Sequence, residues 1–196
     1  GRKNDGNKFV EEALKKKASI VVVNKIKKKL DYKKQIKVTD SLKFLTEIST
    51  IFRENIDAKI IAITGSCGKT TLKELLGKTL KKISKTTISP KSYNNKYGVP
   101  LSLFNLSKND NYGVLEVGMD KKGEIDCLSK IIKPDISVIT NINYAHAKNF
   151  KNIKDIALAK SEIISNTKPY GFVILNADDN FFRLHQKIAT ENNINT

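Results

Sequence analysis

Apolar residues in this chain occur in short runs that alternate with longer stretches of helical periodicity. The short runs have the length of buried strands and begin near residues 20, 59, 86, 112, 135 and 172. Between them, apolar residues spaced three and four apart predict amphipathic helices. Strands that alternate with helices in this way are typical of βαβ units, so we predict an α/β fold with a largely parallel sheet flanked by helices.

The same pattern predicts the bounds of these elements. The predicted strands span residues 20–23, 59–64, 86–89, 112–117, 135–139 and 172–175. The predicted helices span residues 8–18, 40–52, 69–83, 123–132, 153–164 and 180–188, with Asp40 as the N-cap of the second. We predict a polar loop that runs to Pro100, a tail after residue 190 without a strand, and a domain boundary near residues 55–58.

The chain carries a formal net charge of +16, which raises the question of a nucleic-acid partner. Only Arg2, Arg53 and Arg183 are arginines, whereas proteins that bind nucleic acid usually rely on the bidentate arginine side chain. The 33 Lys, 19 Asn and 24 Ile make up 76 of the 196 residues, and all three have A/T-rich codons. We therefore favour a lysine-rich solvated surface and predict no nucleic-acid partner.

Cysteine usage and hydropathy favour a reducing, cytoplasmic setting. Cys67 and Cys127 are 60 residues apart, with no C-x-x-C pair and no histidine cluster, which argues against a zinc site or a disulfide framework. No apolar run approaches the ~18 residues that a membrane span needs, so we expect no membrane insertion. The first residue is Gly1 and no leader pattern follows it, and we expect the natural start to be missing.

The strongest chemical signal follows the predicted strand 59–64. The run Thr64-Gly65-Ser66-Cys67-Gly68-Lys69-Thr70-Thr71 leads from this strand into a helix. Gly65 and Gly68 permit a tight turn, and N–H groups at the helix start can bind phosphate. Lys69 can neutralise β- and γ-phosphates, and the Thr70 hydroxyl can bind Mg²⁺. An ordinary glycine turn that caps a helix is the alternative, which the combination of strand, turn, Lys-Thr pair and helix disfavours.

This T-G-x-x-G-K-T form resembles the ATP-binding loop of the Mur ligases, the amide-bond-forming enzymes of peptidoglycan synthesis. Further segments resemble that family in its order, and the resemblance covers essentially the whole chain. They are residues 92–101 (N-N-x-x-G-x-P), 115–120 with 123–125 (E-x-G-x), 134–146 (P-D-x-x-x-x-T-N-I…H), 159–163 (A-K-x-E-I) and 175–179 (N-A-D-D). The E-x-G-x stretch and the segment Asp5–Phe9 are similar to the MurF branch, which adds D-alanyl-D-alanine.

The resemblance implies an ATP-dependent, ADP-forming amide ligase of cell-wall biogenesis, which serves cell shape and cell division. A carboxylate of UDP-N-acetylmuramoyl-tripeptide attacks the γ-phosphate of ATP, and the amine of D-alanyl-D-alanine then displaces phosphate from the acyl phosphate. ATP, two Mg²⁺ ions and these two substrates are the implied ligands. We expect a monomer.

The resemblance also assigns the domains. Residues 1–57 are expected to be the C-terminal part of a UDP-substrate-binding N-terminal domain. Residues 58–196 are expected to be an incomplete P-loop ATPase-like central domain, with a C-terminal domain absent. We therefore expect the chain alone to bind nucleotide weakly and not to ligate.

Glu116, His146 and Lys160 are candidate ligands or catalytic groups outside the loop. Glu116 ends a predicted strand, where a carboxylate beside a phosphate loop is favoured as a Mg²⁺ ligand over a plain surface glutamate. By itself His146 would be interpreted as solvent-exposed, and Lys160 as one of many lysines. The resemblance implies that Lys160 is carbamylated by CO₂ and binds a second Mg²⁺ with His146, which requires a neutral lysine amine. Lys69, His146 and Lys160 are thus the candidate catalytic residues.

Several polar residues keep two interpretations. Asn94 and Asn95 precede a Gly-Val-Pro turn, and turn chemistry is supported equally with a role in binding substrate or the nucleotide phosphates. Cys67 is interpreted as a small filler of the phosphate loop rather than a nucleophile. Asn176, Asp178 and Asp179 are candidate caps of the last helix, and this interpretation is favoured for Asp179.

Three alternative functions stay open. A sister ligase, from another Mur branch or of the folylpolyglutamate synthase type, shares the phosphate loop. A P-loop kinase or other NTPase would leave Lys160 and His146 unexplained. A nucleic-acid binder predicts tight and steeply salt-dependent DNA or RNA binding.

Overall fold

The structure is a computed structural model that describes residues 5–144 and 149–196. The chain divides into two compact units, Gly1–Ile48 and Ser49–Thr196. This division falls inside a helix and precedes the boundary predicted at residues 57/58. The assignment of residues 1–57 to a UDP-substrate-binding domain stays a prediction.

The first unit contains two short parallel strands. A 3₁₀ turn at Gly6–Phe9 leads to α1 (Val10–Lys15), β1 (Val21–Val23), a 3₁₀ turn at Tyr32–Lys34, β2 (Gln35–Lys37) and the start of α2 (Ser41–Glu54). The Asp40 carboxylate accepts hydrogen bonds from the N–H groups of Leu42 and Lys43 at 2.8 and 3.0 Å. Asp40 is therefore confirmed as a cap of α2.

The sequence pattern does not predict strand β2. It buries the Gln35 side chain and leaves Ile36 exposed, which reverses the pattern that identifies a strand. The Gln35 amide is satisfied by the backbone of the loop before it, where it exchanges hydrogen bonds with Lys27 at 2.9 and 3.2 Å. Hydrophobic periodicity cannot reveal such a strand, because a buried polar residue takes the place of an apolar one.

The second unit is a five-stranded, wholly parallel sheet in the order β4-β5-β3-β6-β7, which confirms the predicted α/β fold. Its strands are β3 (Lys59–Thr64), β4 (Thr86–Ile88), β5 (Tyr112–Glu116), β6 (Ile136–Ile139) and β7 (Phe172–Leu175). Its helices are α3 (Lys69–Leu80), α4 (Gly98–Leu103), α5 (Glu124–Ile132), α6 (Ile153–Ser165) and α7 (Phe182–Glu191). The chain fills one side of β3 first and then crosses to the other, and open α/β sheets bind ligands at the strand ends beside such a crossing.

Helices cover both faces of this sheet. On one face, Ile61 and Ile63 of β3 pack with leucines of α3. On the other face, Ile60 and Ala62 belong to the larger cluster formed with α4, α5, α6 and α7. Strand β3 is a continuous apolar run because its alternate residues serve two buried layers.

Helix α4 occupies part of the segment predicted to be a polar loop. Its start, Gly98-Val99-Pro100, has the composition of a turn, but a proline in the first helical turn removes an N–H that lacks a helical partner anyway. The Asn95 side-chain oxygen accepts the N–H groups of Tyr97 and Gly98, both at 3.0 Å. The cap and the burial of Val99 explain a helix too short to show periodicity.

The tail after residue 190 forms no strand, as predicted, but one of its residues pairs with the sheet. Asn195 forms an isolated parallel bridge with Phe172 of β7. The N–H of Val173 donates to the Asn195 oxygen at 2.8 Å, and the N–H of Asn195 donates to the Gly171 oxygen at 2.9 Å. Ile194, the residue before Asn195, is buried in the hydrophobic core, so apolar burial and main-chain hydrogen bonds together hold the tail at this edge of the sheet.

Across the described ranges, no helix is long and apolar enough to cross a membrane. Cys67 and Cys127 are both free and exposed. The exposure of Cys67 does not support its interpretation as a filler of the phosphate loop.

Candidate functional site

The loop between β3 and α3 has a backbone that two glycines make possible. The φ angles of Gly65 and Gly68 are 143° and 80°. A Cβ on Gly65 would lie 1.9 Å from Oγ1 of Thr140, so a side chain there would collide with the neighbouring strand end. Gly68 is the N-cap of α3, and the loop therefore ends at the N-terminus of a 12-residue helix, where N–H groups attract anions.

Residues that follow β6 hold this loop from the side. Oγ1 of Thr140 donates to the Cys67 backbone oxygen at 2.6 Å, and Oδ1 of Asn141 accepts the Cys67 N–H at 3.1 Å. The Ser66 hydroxyl donates to the Asn143 oxygen at 2.9 Å and accepts the Asn143 N–H at 2.8 Å. From the sequence, Thr140 and Asn141 are identified only as part of a family motif, which does not predict that they support the phosphate loop. Their position directly after a parallel strand is the feature from which this role could have been predicted.

Two lysine side chains from opposite faces of the sheet converge on one carbonyl. Nζ of Lys69, at the start of α3, donates to the Gly65 oxygen at 2.8 Å, and Nζ of Lys160, on α6, donates to the same oxygen at 2.9 Å. Lys160 is 2% exposed. Burial, and secondarily the charge of Lys69, lowers the pKa of Lys160 to about 7. A substantial fraction of this amine is therefore neutral at pH 7.

This pKa predicts a pH-dependent stability that Lys160→Met should remove. Between the folded pKa of about 7 and the ordinary value of 10.5, the unfolded chain holds a proton that the folded chain has lost. In CO₂-free buffer, the free energy of unfolding of the unsubstituted chain should therefore rise relative to Lys160→Met by about 1.4 kcal/mol per pH unit between roughly pH 8 and 9.5, and by about half that slope at pH 7.

Urea denaturation at several pH values measures this slope. Lys154→Met changes an exposed lysine of the same helix, so its free energy of unfolding should depend on pH in the same way as that of the unsubstituted chain. If the free energy of unfolding of Lys160→Met had the same pH dependence as that of the unsubstituted chain, the pKa of Lys160 would not be lowered.

Glu116 is buried at the end of β5 and accepts hydrogen bonds from two directions. Oγ1 of Thr70 donates to Oε2 at 2.7 Å, and Nδ2 of Asn94 donates to Oε1 at 2.7 Å. The alternation of β5 places Glu116 on the same face as Val114, which packs against α3. A threonine hydroxyl and a carboxylate therefore adjoin each other beside Lys69.

These two side chains are oxygen donors of the kind that Mg²⁺ prefers, and one hydrogen bond leaves each carboxylate oxygen with a further lone pair. In residues 5–144 and 149–196, no group of three or more His, Cys, Asp or Glu side chains could hold a metal ion. Proteins usually bind Mg²⁺ through one or two carboxylates together with phosphate and water, and Glu116 offers one such carboxylate beside the Thr70 hydroxyl.

The structure separates the two asparagines. Asn95 caps α4, which is the turn chemistry that one interpretation expected. Asn94 instead contacts Glu116, and its backbone oxygen accepts the Gly118 N–H at 2.8 Å. Asn94 is thus the asparagine whose side chain reaches the candidate metal ligand.

A cavity of about 530 Å³ opens beside the loop. Lys69, Lys96 and Lys121 are among its lining residues, together with Asn94 and Tyr97. Asp120 and Glu124 also line it, so the three lysines are the part of the lining that can attract an anionic ligand.

The remaining candidates have structural contacts. Asp179 accepts the Phe181 N–H at 2.8 Å just ahead of α7, and its other oxygen accepts the Ile142 N–H at 2.7 Å. Asn176 accepts the Asp178 N–H at 3.0 Å, within a turn. The predicted ligand His146 lies outside the described residues.

Comparison with known proteins connects this geometry to a family. Residues 63–196 match the sequence model of the Mur ligase middle domain. The chain belongs to the Mur ligase family. It is 42% identical over 195 residues to the UDP-N-acetylmuramoyl-tripeptide--D-alanyl-D-alanine ligase of Buchnera aphidicola subsp. Acyrthosiphon pisum, covering 99% of this chain and 42% of that relative.

Solved structures agree with this membership in the Mur ligase family. MurF from Acinetobacter baumannii superposes with a TM-score of 0.87 and 35% identity, over 97% of this chain and 42% of that one. MurF ligase from Thermotoga maritima, solved in complex with ADP, superposes with a TM-score of 0.85 and 30% identity, over 100% of this chain and 44% of that one. The predicted resemblance to the MurF type is confirmed, and the chain spans less than half the length of these relatives.

Proposed function

We propose that this chain forms the ATP-binding part of a cytoplasmic, ADP-forming amide ligase of peptidoglycan synthesis. The ligase would join D-alanyl-D-alanine to UDP-N-acetylmuramoyl-tripeptide. The observation that carries the proposal is the Thr70–Glu116 contact of 2.7 Å, directly beside Lys69 and the N-terminus of α3. Relatives named for this ligation support the pair of substrates.

The nucleotide phosphates are proposed to bind over the run Gly65-Ser66-Cys67-Gly68-Lys69-Thr70-Thr71, with Asn94 and Asn95 at its edge. The Lys69 ammonium donates to the oxygens of Gly65 and Ser66 at 2.8 and 3.3 Å, and a phosphate would offer it a stronger, charged acceptor. The similar MurF ligase from Thermotoga maritima was crystallised in complex with ADP, which supports a nucleotide as the ligand.

Thr70 and Glu116 are proposed to hold a Mg²⁺ ion. The ion would neutralise phosphate charge and polarise the γ-phosphoryl group. Asn94 orients the carboxylate of Glu116 through its 2.7 Å hydrogen bond, so the ligand oxygens face α3 before a ligand arrives.

Lys160 is proposed to react with CO₂. Its neutral amine nitrogen would form a bond to the carbon of CO₂ and release one proton to solvent, which leaves an anionic carbamate oxygen as a ligand. The lowered pKa and the burial of Lys160 support this step because they supply the neutral amine. With His146, this carbamate is the proposed binding site of a second Mg²⁺.

In the proposed reaction, the tripeptide carboxylate oxygen bonds to the γ-phosphorus as the bond to ADP breaks. The neutral amine of D-alanyl-D-alanine then bonds to the acyl carbon, phosphate leaves with the oxygen that came from the carboxylate, and one amine proton passes to the departing phosphate or to solvent. Lys69 and the other lysines of the cavity would reduce the repulsion between the anionic nucleophile and ATP.

ADP release by the protein produced from its complete gene tests this function. We expect ADP only when UDP-N-acetylmuramoyl-tripeptide and D-alanyl-D-alanine are both present, within a panel of single amino acids and dipeptides. Dependence on another amine would favour a sister ligase. ADP release without any amine would favour a kinase or NTPase.

The same preparation tests the remaining proposals. We propose a monomer, which light scattering would check, and no nucleic-acid partner. The lysine-rich surface then predicts weak DNA binding without sequence preference, whereas tight binding with a steep salt dependence would contradict it.

A further inference from the structure

Lys73 is a buried cation that the proposed reaction does not use. It lies one turn after Thr70 on α3 and has 0% exposure. Its ammonium donates to the backbone oxygens of Ser89, at 2.8 Å, and of Lys91, and it pairs with Glu74 at 3.3 Å. Burying an ammonium group costs free energy unless each of its N–H donors has an acceptor. The burial of Lys73 is therefore a reason to look for a specific role of this side chain.

The Lys73 ammonium holds a strained piece of backbone. Lys91 has a φ of 47°, in the left-handed region that residues other than glycine seldom adopt. Its carbonyl is one of the acceptors of Lys73, and the Ser89 carbonyl two residues earlier is the other. The ammonium therefore clamps both ends of the turn from 89 to 91 against α3.

This turn leads to the groups that orient Glu116. The Ser89 hydroxyl accepts the Glu116 N–H at 3.2 Å. Asn94, three residues after Lys91, donates to the Glu116 carboxylate at 2.7 Å. Helix α3 thus contacts Glu116 directly through Thr70 and supports its other partners through Lys73.

We propose that Lys73 is a positioning residue that sets the Glu116 carboxylate for Mg²⁺ by holding the turn from 89 to 91. The inference rests on the proposed function, because it matters only if Glu116 binds the metal ion. It assigns Lys73 no contact with substrate. Its loss should therefore change the Mg²⁺ requirement more than the apparent affinity for the peptide substrates.

The test compares Lys73→Met with Lys78→Met in the protein produced from its complete gene. Methionine keeps an unbranched stem and removes the charge and donors, and Lys78 is an exposed lysine of the same helix. We expect Lys73→Met to raise the Mg²⁺ concentration for half-maximal ADP release by about 10- to 100-fold, with KM for D-alanyl-D-alanine changed less than about threefold. Lys78→Met should match the unsubstituted enzyme, and Lys73→Arg should restore part of the loss.

If Lys73→Met does not fold, as judged by circular dichroism, Ser89→Ala decides the question. It keeps the backbone oxygen that Lys73 uses and removes the hydroxyl that meets Glu116, so we expect a several-fold rise in the Mg²⁺ requirement. An unchanged Mg²⁺ requirement in whichever variant folds would overturn the positioning role. Absence of ADP release from the unsubstituted enzyme would instead overturn the proposed function.

Discussion

Replacing Glu116 with glutamine is expected to lower ADP release at saturating substrates by at least about 100-fold. Glutamine has nearly the same shape, so the β5 backbone and the packing against α3 should remain. The substitution removes the negative charge of the proposed Mg²⁺ ligand. One end of the new amide also carries N–H donors, which cannot accept the hydrogen bonds that the carboxylate now takes from Thr70 and Asn94.

The measurement is a coupled ADP assay across a range of Mg²⁺ concentrations, with urea denaturation to confirm folding. Glu191→Gln is the matched control, because this exposed glutamate of α7 pairs with Lys187 at 3.8 Å on the protein surface. Its rate of ADP release should stay within about twofold of that of the unsubstituted enzyme. Near-normal turnover and Mg²⁺ dependence in Glu116→Gln would remove Glu116 from the proposed metal site.

Lys160→Ala is expected to abolish ligation, with a loss of roughly 10³-fold, and added bicarbonate should restore nothing. The substitution deletes both the amine that meets the Gly65 oxygen and the proposed site of carbamylation. Alanine has no amine that could react with CO₂, so added bicarbonate cannot restore activity that is lost with the carbamate.

The control and a second readout separate this chemistry from a packing defect. Lys154→Ala, at an exposed position of α6, should leave turnover unchanged. The unsubstituted enzyme should lose activity in CO₂-depleted buffer and regain it with bicarbonate. Activity like that of the unsubstituted enzyme in Lys160→Ala would refute the role of Lys160.

Most of the parallel sheet could be predicted because its signal is local. Strand β3 serves two buried layers and is therefore an uninterrupted apolar run. Helix α4 and strand β2 could not be predicted in this way. Helix α4 is short and depends on the cap from Asn95, and β2 buries a glutamine, so neither has the periodicity that distinguishes longer elements.

The phosphate loop was predictable for the same local reason, but its surroundings were not. Lys160 meets the carbonyl of Gly65, 95 residues away along the chain, and no short-range pattern encodes that contact. Asn94 and Asn95 are identical neighbours in sequence, and only the fold shows that one meets Glu116 while the other caps a helix.

Lys73 shows how composition can hide a functional group. In a chain with 33 lysines, a lysine on a helix indicates a solvated surface, and the net charge of +16 supports that interpretation. The structure instead buries Lys73 completely beside the site. Its proposed role depends on hydrogen bonds to two backbone carbonyls, which a motif of side chains cannot indicate.

Transfer of ¹⁸O from the tripeptide carboxylate to phosphate tests the central claim most directly. The protein produced from its complete gene would be given ATP, D-alanyl-D-alanine and UDP-N-acetylmuramoyl-tripeptide labelled in both oxygens of the reacting carboxylate. Mass spectrometry of the released phosphate should find one ¹⁸O per ADP, because the attacking oxygen leaves with the phosphorus when the amine displaces it. Phosphate free of ¹⁸O would contradict an acyl-phosphate ligase.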